Sequence, residues 1–277
     1  MRLAVISSSS FNLYASTLVA RLAAEKQTPV AIICAQQTLI GTVRGYVKKH
    51  GLLRTLDRAL DVIGVRPSHV HWNRQTLGNY AAQHRLTHWD ASLPAVCTHF
   101  GIDFLRVKSV NAPGVEDYVR SRKIEVLLNA GSELFRRGIV DASTHGILNA
   151  HMGYLPAYRG YNVLEWSVFR GDQIGVTLHF INAGIDTGDI VRFLPIAVEP
   201  GDTLAWLRAK AFPIDVDLMV DAVKGLERGT LVRKPQAEEE SKQYFAMHRR
   251  LRTVAEKRIG APGATVLRAT REPKGTN

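Results

Sequence analysis

RLAVISSSSFNLYASTLVARLAAEKQTPVAIICA, residues 2–35, decides the class of fold. Residues 2–6 (RLAVI) and 29–35 (PVAIICA) are short apolar runs rich in β-branched side chains, the pattern of buried strands. Between them LYASTLVARLAAEKQ carries Leu13, Leu18 and Leu22 at helical spacing. A strand, a helix and a strand in that order form a β-α-β unit, whose strands run parallel. The expected class is therefore α/β, with a doubly wound, mostly parallel sheet.

The alternation resumes further along. PAVCTHFGI (94–102) reads as helix, DFLRVKSV (103–110) as strand, GVEDYVRSRK (114–123) as helix and IEVLLNAG (124–131) as a buried strand. LFRRGIVDA (134–142) is a short helix and HGILNAH (145–151) an apolar strand. NVLEWSVFRGD (162–172) is helical, and the strands IGVTLHFIN (174–182) and DIVRFLPIAV (189–198) flank the turn AGIDTGD. Thr203, after Gly201-Asp202, caps a long helix reaching about Arg228. Residues 65–90 show scattered His and Trp without a clean period. His69, His71, His84 and His88 lack zinc-site spacing. Cys34 and Cys97 sit in apolar surroundings and read as buried small hydrophobes. No metal is expected.

With 277 residues, 45% of them hydrophobic and 22% charged, the chain can bury a substantial core. Its net charge of +11 is concentrated in two places. Residues 41–60 hold five Lys/Arg against the single acid Asp57, and residues 246–277 hold eight against Glu256 and Glu272. Leu52, Leu53, Leu56, Leu60 and Ile63 line one face of a basic amphipathic helix within 41–63. Two readings of it stand: a surface helix packed on the body, or a peripheral contact with a membrane or polyanion. The N-terminus is too short in apolar residues for a secretory signal, and no run of about eighteen apolar residues occurs. A soluble, cytoplasmic protein is expected, its oligomeric state left open. The economical division is one domain over residues 1–230 followed by a basic C-terminal extension, 231–277.

Ligands of open α/β sheets gather at the carboxyl ends of strands. Asn149 and His151 lie at such an end, and strand alternation puts both side chains on one side. Asp186 lies in the turn between two later strands. An amide, an imidazole and a carboxylate with no matching Ser or Cys make no covalent nucleophile set. They suit a reaction whose nucleophile belongs to the substrate. Asn149 and a protonated His151 stabilise a developing oxyanion, and Asp186 supports the histidine's proton and relays it. That chemistry is acyl transfer to an amine.

Further elements follow in order: Leu155-Pro156 with Arg159-Gly160, Gly175-Val176-Thr177 with His179, and Asp186-Thr187-Gly188. With Asn149 and His151, residues 145–191 resemble the folate-dependent formyltransferases. That family includes glycinamide ribonucleotide, methionyl-tRNA and sugar-nucleotide amine formyltransferases. The resemblance implies a Rossmann-like catalytic domain, interrupted here by an inserted segment at 36–95. It implies N10-formyltetrahydrofolate as formyl donor and no metal, and it makes Asn149, His151 and Asp186 catalytic. It places the pterin against Leu128, Asn129, Ala130, Gly131, Ser132 and Leu134, and against Ile181, Gly184 and Ile185. His179 orients the folate side or a catalytic water.

The acceptor is narrower ground. Glycinamide ribonucleotide enzymes carry a glycine-rich phosphate loop after the first strand. This chain has SSSSFNL there, so Ser9 and Asn12 become candidate acceptor contacts. Tyr158, Arg159, Asn162 and Trp166 are further candidates, each with an ordinary structural alternative. RGYNVLEW and VTLHFINAGIDTGDIV look nearest to sugar-nucleotide amine formyltransferases, which implies a phosphorylated or nucleotide-linked amine acceptor. QYFAMHRRLR (243–252) reads either as a flap over a nucleotide or as a solvated tail helix. The alternatives are methionyl-tRNA or glycinamide ribonucleotide, an amine in natural-product assembly, and a non-catalytic relative binding folate or polyanions. Contact of the basic tail with nucleic acid stays open.

Overall fold

The strand expected at the start is β1, Leu3–Ser7, and all five of its side chains are buried. It pairs in parallel with β2 (Ala31–Ala35) on one edge and with β4 (Val126–Ala130) on the other. The computed structural model describes residues 1–35, 71–237 and 241–259. The basic helix expected within 41–63 lies outside the described residues, as do most of the inserted segment and the tail beyond residue 259. β3 is Asp103–Val107, β5 Gly146–His151, β7 Gly175–Phe180 and β8 Ile190–Pro195. They complete a seven-stranded sheet in the order β3-β2-β1-β4-β5-β7-β8. The first five strands of the chain run parallel; β7 is antiparallel to β5, and β8 to β7.

Successive residues of a strand face opposite sides of the sheet, and here each side has its own core. Leu3, Val5, Ile32, Leu128 and Leu148 pack with the helices Leu13–Ala24, Leu93–Phe100 and Leu204–Glu227. Ala4, Ile6, Ile33, Leu127 and Ile147 pack with Val115, Val119 and Ile139 of Pro113–Ser121 and Arg137–Val140. Near-continuous apolar strands covered on both faces are what a parallel sheet requires. Thr203 caps the long helix by accepting the Trp206 N–H at 3.1 Å, as its position suggested.

Residues 71–83, within the stretch of poor periodicity, are helical. The buried positions Thr76, Leu77, Tyr80 and Ala81 follow helical spacing, but only Leu77 among them is strongly apolar. The period was therefore faint. Cys34 and Cys97 are buried and unpaired. Among the described residues no helix is long and apolar enough to cross a membrane.

The C-terminal segment departs most from expectation. Lys234 bridges the β8 residue Ile190, and β9 (Gln243–Tyr244) pairs in parallel with β6 (Arg159–Gly160). The helix Arg249–Ile259 then packs on Val163–Arg170 and Leu204–Glu227. The described residues of the basic extension, 231–237 and 241–259, are docked on the body. Val163–Arg170 is tied to the long helix by Arg208, which grips Glu165 at 2.7 and 2.5 Å. Burial pushes the Glu165 carboxyl up, but the guanidinium outweighs it and holds the acid below its usual range. Partners must be present together at such a site, since either alone would be a buried uncompensated charge.

Gly160 permits the β6–β9 pairing. Its φ is +100°, and a Cβ there would lie 2.2 Å from the Tyr244 carbonyl oxygen. Gly160→Ala is expected to cost about 1–3 kcal/mol in strain. Limited proteolysis should then cut the segment after residue 228 faster than in the parent chain, while β1 to β5 stay protected.

Candidate active site

Three polar side chains line up across neighbouring strands. The register sets Asn129 of β4 beside Asn149 of β5, and Asn149 beside His179 of β7. Asn129 Nδ2 donates to Asn149 Oδ1 at 2.8 Å, and Asn149 Nδ2 lies 3.0 Å from His179 Nε2. The chemistry of the ends orients the whole row. His179 Nδ1 is 2.8 Å from the Phe180 carbonyl oxygen, which only accepts, so the proton of a neutral ring sits on Nδ1. Nε2 is then the acceptor for Asn149. At the other end the Gly131 N–H donates to Asn129 Oδ1 at 2.9 Å. Asn149 therefore keeps its amide nitrogen outward, with one N–H on His179 and the other available to a ligand.

His151 is only 8% exposed, and its Nε2 lies 2.7 Å from the Tyr158 carbonyl oxygen. That contact needs a proton on Nε2. Nδ1 faces Asp186 Oδ2 at 3.6 Å, and Asp186 Oδ1 stands 3.6 Å from His179 Nε2. These separations are ion-pair distances rather than hydrogen bonds. A doubly protonated His151 satisfies the carbonyl and the carboxylate together. Asp186 is held from outside its own turn: Oδ2 accepts the Gly160 N–H at 2.8 Å, and its carbonyl accepts Gln236 Nε2 at 2.9 Å. Its φ of +51° is a left-handed backbone, a position of strain for a residue with a Cβ. Gln236 also receives the Arg159 guanidinium at 2.7 and 3.2 Å. A lone glutamine in a coil carries no pattern, so this residue had no signal in the sequence.

Asn149 and its neighbour Asn129 stand between two cavities. The first, about 390 Å³, has a polar floor of Asn129, Asn149, His151, His179 and Asp186. Leu134, Phe135, Ile181 and Ile185 supply an apolar flank. Gly131, Ser132 and Gly184 also line it. The second, about 420 Å³, opens beside Ser9, Asn12, Ala130 and Ala150. It lies where the strand order reverses between β1 and β4, the crevice that open α/β sheets use for ligands. Exposed apolar side chains border both: Leu134 and Tyr161 the first, Phe11 the second.

The remaining candidates fall elsewhere. Leu128 is wholly buried within β4 and lines neither cavity. Tyr158, Arg159, Asn162 and Trp166 line neither and secure the C-terminal segment instead. The Tyr158 ring stacks on Tyr244 with centroids 4.9 Å apart, and its hydroxyl donates to Asp172. Asn162 Oδ1 accepts the Met247 N–H at 3.0 Å, and the Trp166 indole donates to the Phe245 carbonyl at 2.9 Å. Asn12 reaches the second cavity but spends its side chain on structure. Its Nδ2 donates to the Ala130 carbonyl at 2.7 Å and to Ser7 Oγ at 3.0 Å, while Oδ1 caps the Leu13–Ala24 helix. Tyr14, Asn73, Phe212 and Asp215 line the second cavity without having been singled out in the sequence.

The family model described as formyl transferase matches residues 1–223. The chain belongs to the formyl transferase family. It is 29% identical over 147 residues to the methionyl-tRNA formyltransferase of Solibacter usitatus, a match covering 52% of this chain and 47% of that protein. It thus spans about half the length of that curated relative. In fold it is similar to glycinamide ribonucleotide transformylase 1 from Symbiobacterium toebii, with a TM-score of 0.57 at 17% identity over 86% of this chain and 94% of the other. It is likewise similar to the N-formyltransferase from Helicobacter canadensis, solved with folinic acid and dTDP-3-aminofucose. There the TM-score is 0.55 at 14% identity, over 94% of this chain and 80% of the other.

His179 ties the stability of the fold to pH. Burial, followed by the neighbouring His151, pushes its pKa from 6.5 down to about 4 against the pull of Asp186. The unfolded chain takes up a proton that the folded one refuses, so stability falls as pH drops from about 6.5 toward 4. Melting temperatures across that window should decline more steeply for the parent chain than for His179→Gln. Equal slopes would assign the acid sensitivity to other groups.

Proposed function

We propose that the chain transfers a formyl group from N10-formyltetrahydrofolate to the primary amine of a small acceptor. The observation that carries this reading is Asn149, an oriented amide shared by two cavities and flanked by His151. The first cavity fits the donor: an apolar flank for a flat heteroaromatic ring beside a few convergent polar groups is the composition of a cofactor pocket. Gly131, Ser132, Leu134, Ile181 and Ile185 would hold it. Bound there, the donor supplies an activated formyl group. The free N–H of Asn149 and a charged His151 stabilise negative charge developing on an acyl oxygen. Asp186, clamped by Gly160 and Gln236, keeps the His151 ring turned and holds its proton at Nδ1.

The acceptor we favour is an amino sugar carried on a nucleotide, on the likeness of RGYNVLEW and the β7–β8 turn to such enzymes. Ribonucleotide phosphate recognition by the loop after β1 is disfavoured. Ser9 N–H is spent on Ser7 Oγ at 3.4 Å and Phe11 N–H on Ser9 Oγ at 3.1 Å, so those amides are not free to cradle an anion. Methionyl-tRNA is the second reading, favoured by the curated relative and by the basic charge of the chain.

Asn149→Ala, His151→Ala and Asp186→Ala should each lower turnover about 10²–10³-fold while leaving the melting temperature within a few degrees of the parent. The assay follows tetrahydrofolate release with a panel of nucleotide-linked amino sugars, glycinamide ribonucleotide and methionyl-tRNA. Full activity in His151→Ala would overturn the mechanism, and turnover with methionyl-tRNA alone would replace the favoured acceptor.

A further inference from the structure

The second cavity has a wall that this chemistry does not use. Asp215, in the Leu204–Glu227 helix, is 2% exposed, and its Oδ1 is buried without a hydrogen-bond partner. The Tyr14 hydroxyl and Asn73 Oδ1, from two other helices, are buried and unpartnered as well. All three residues line the same cavity. Four buried side-chain polar atoms among the described residues lack a partner, and three of them belong to residues that line this cavity. Each such atom costs about 1–3 kcal/mol, more when charged, so three at one cavity are the signature of groups awaiting a ligand.

Their chemistry is selective. Asp215 and Asn73 present oxygen acceptors, and Tyr14 an oxygen that both donates and accepts. Such a wall takes N–H donors and offers a phosphate no cation. No Lys, Arg or His is among the described residues lining the cavity. A buried carboxylate finds its strongest compensation in a cation. The wall also stands apart from the reacting centre. Ala150 and Met152 line this cavity and pack with the core on the Leu204–Glu227 side, whereas His151 and Asp186 line the first cavity and not this one, with Asn149 between the two.

We propose that Asp215, Asn73 and Tyr14 bind a positively charged nitrogen of the acceptor other than the amine that is formylated. The acceptor is then an amine that carries a second cationic nitrogen, as a diamino sugar does, and spans from this wall to the tip of β5. This rests on the formyl-transfer reading and deepens it. Burial raises the Asp215 carboxyl well above its usual range, and a cation beside it would pull it back down, so that protons leave as the cation binds. Tyr14 is the other titratable group among the described lining residues; burial, then the Asp215 charge, keeps its hydroxyl protonated and able to donate.

The test is calorimetric titration of the full chain, loaded with 5-formyltetrahydrofolate, with 1,4-diaminobutane, agmatine, butylamine and glucosamine 6-phosphate. The two dications should bind about tenfold tighter than butylamine, with heats that change with buffer ionisation enthalpy because a proton is released. Glucosamine 6-phosphate should bind no tighter than butylamine. Asp215→Asn should erase both the dication preference and the buffer dependence without lowering the melting temperature. Tyr14→Phe should weaken dication binding several-fold, and it decides the matter if Asp215→Asn fails to fold. Equal binding of dications and butylamine, a preference for the phosphate, or a dication preference surviving in Asp215→Asn would overturn the proposal. Loss of 5-formyltetrahydrofolate binding itself would instead sink the formyl-transfer reading.

Discussion

Asn12 holds together the two strand ends between which the sheet reverses its order. One amide caps a helix, reaches the Ser7 hydroxyl at the end of β1 and grips the Ala130 carbonyl at the end of β4. β1 and β4 are neighbours whose onward connections lead to opposite faces, so a crevice must open above them. Among the described residues, the candidate site extends from that crevice. Its floor runs from β4 through β5 to β7 as Asn129, Asn149 and His179, and its sides are the two cavities.

The row of three is a directional chain of hydrogen bonds whose sense is imposed by two backbone groups, the Gly131 N–H and the Phe180 carbonyl. A side-chain amide has no intrinsic preference for which end faces a ligand. Here the preference is supplied by groups that cannot rotate. Preorganisation of this kind is what lets a neutral amide stabilise charge without first reorienting.

The β-α-β opening was legible because its strands are unbroken apolar runs, and the candidate trio Asn149, His151 and Asp186 because its residues lie in short motifs that the fold brings to one cavity. The 71–83 helix was not, since its buried stripe contains a threonine and a tyrosine that look like surface residues. Asp215 was invisible for the opposite reason: an acid in PIDVDL reads as solvent-facing, and nothing local reveals that three helices close over it. Tyr158, Asn162 and Trp166 drew attention by standing in a motif-rich loop. Their aromatic and amide groups are used in tertiary contacts with residues 172 and 244–247, a dependence on distant chain that local pattern does not carry. β9 was equally hidden, because a two-residue strand has no period to read.

The hold on Asp186 crosses a boundary. The family match ends at residue 223, yet Gln236, thirteen residues further on, grips the carbonyls of Asp186 and Gly188 and takes the Arg159 guanidinium. The candidate trio lies within the matched residues, while part of what holds Asp186 lies beyond them. A chain cut at residue 223 would keep Asn149, His151 and Asp186 and lose the Gln236 contacts to the aspartate's turn. The length the family shares and the length that braces the candidate site are different.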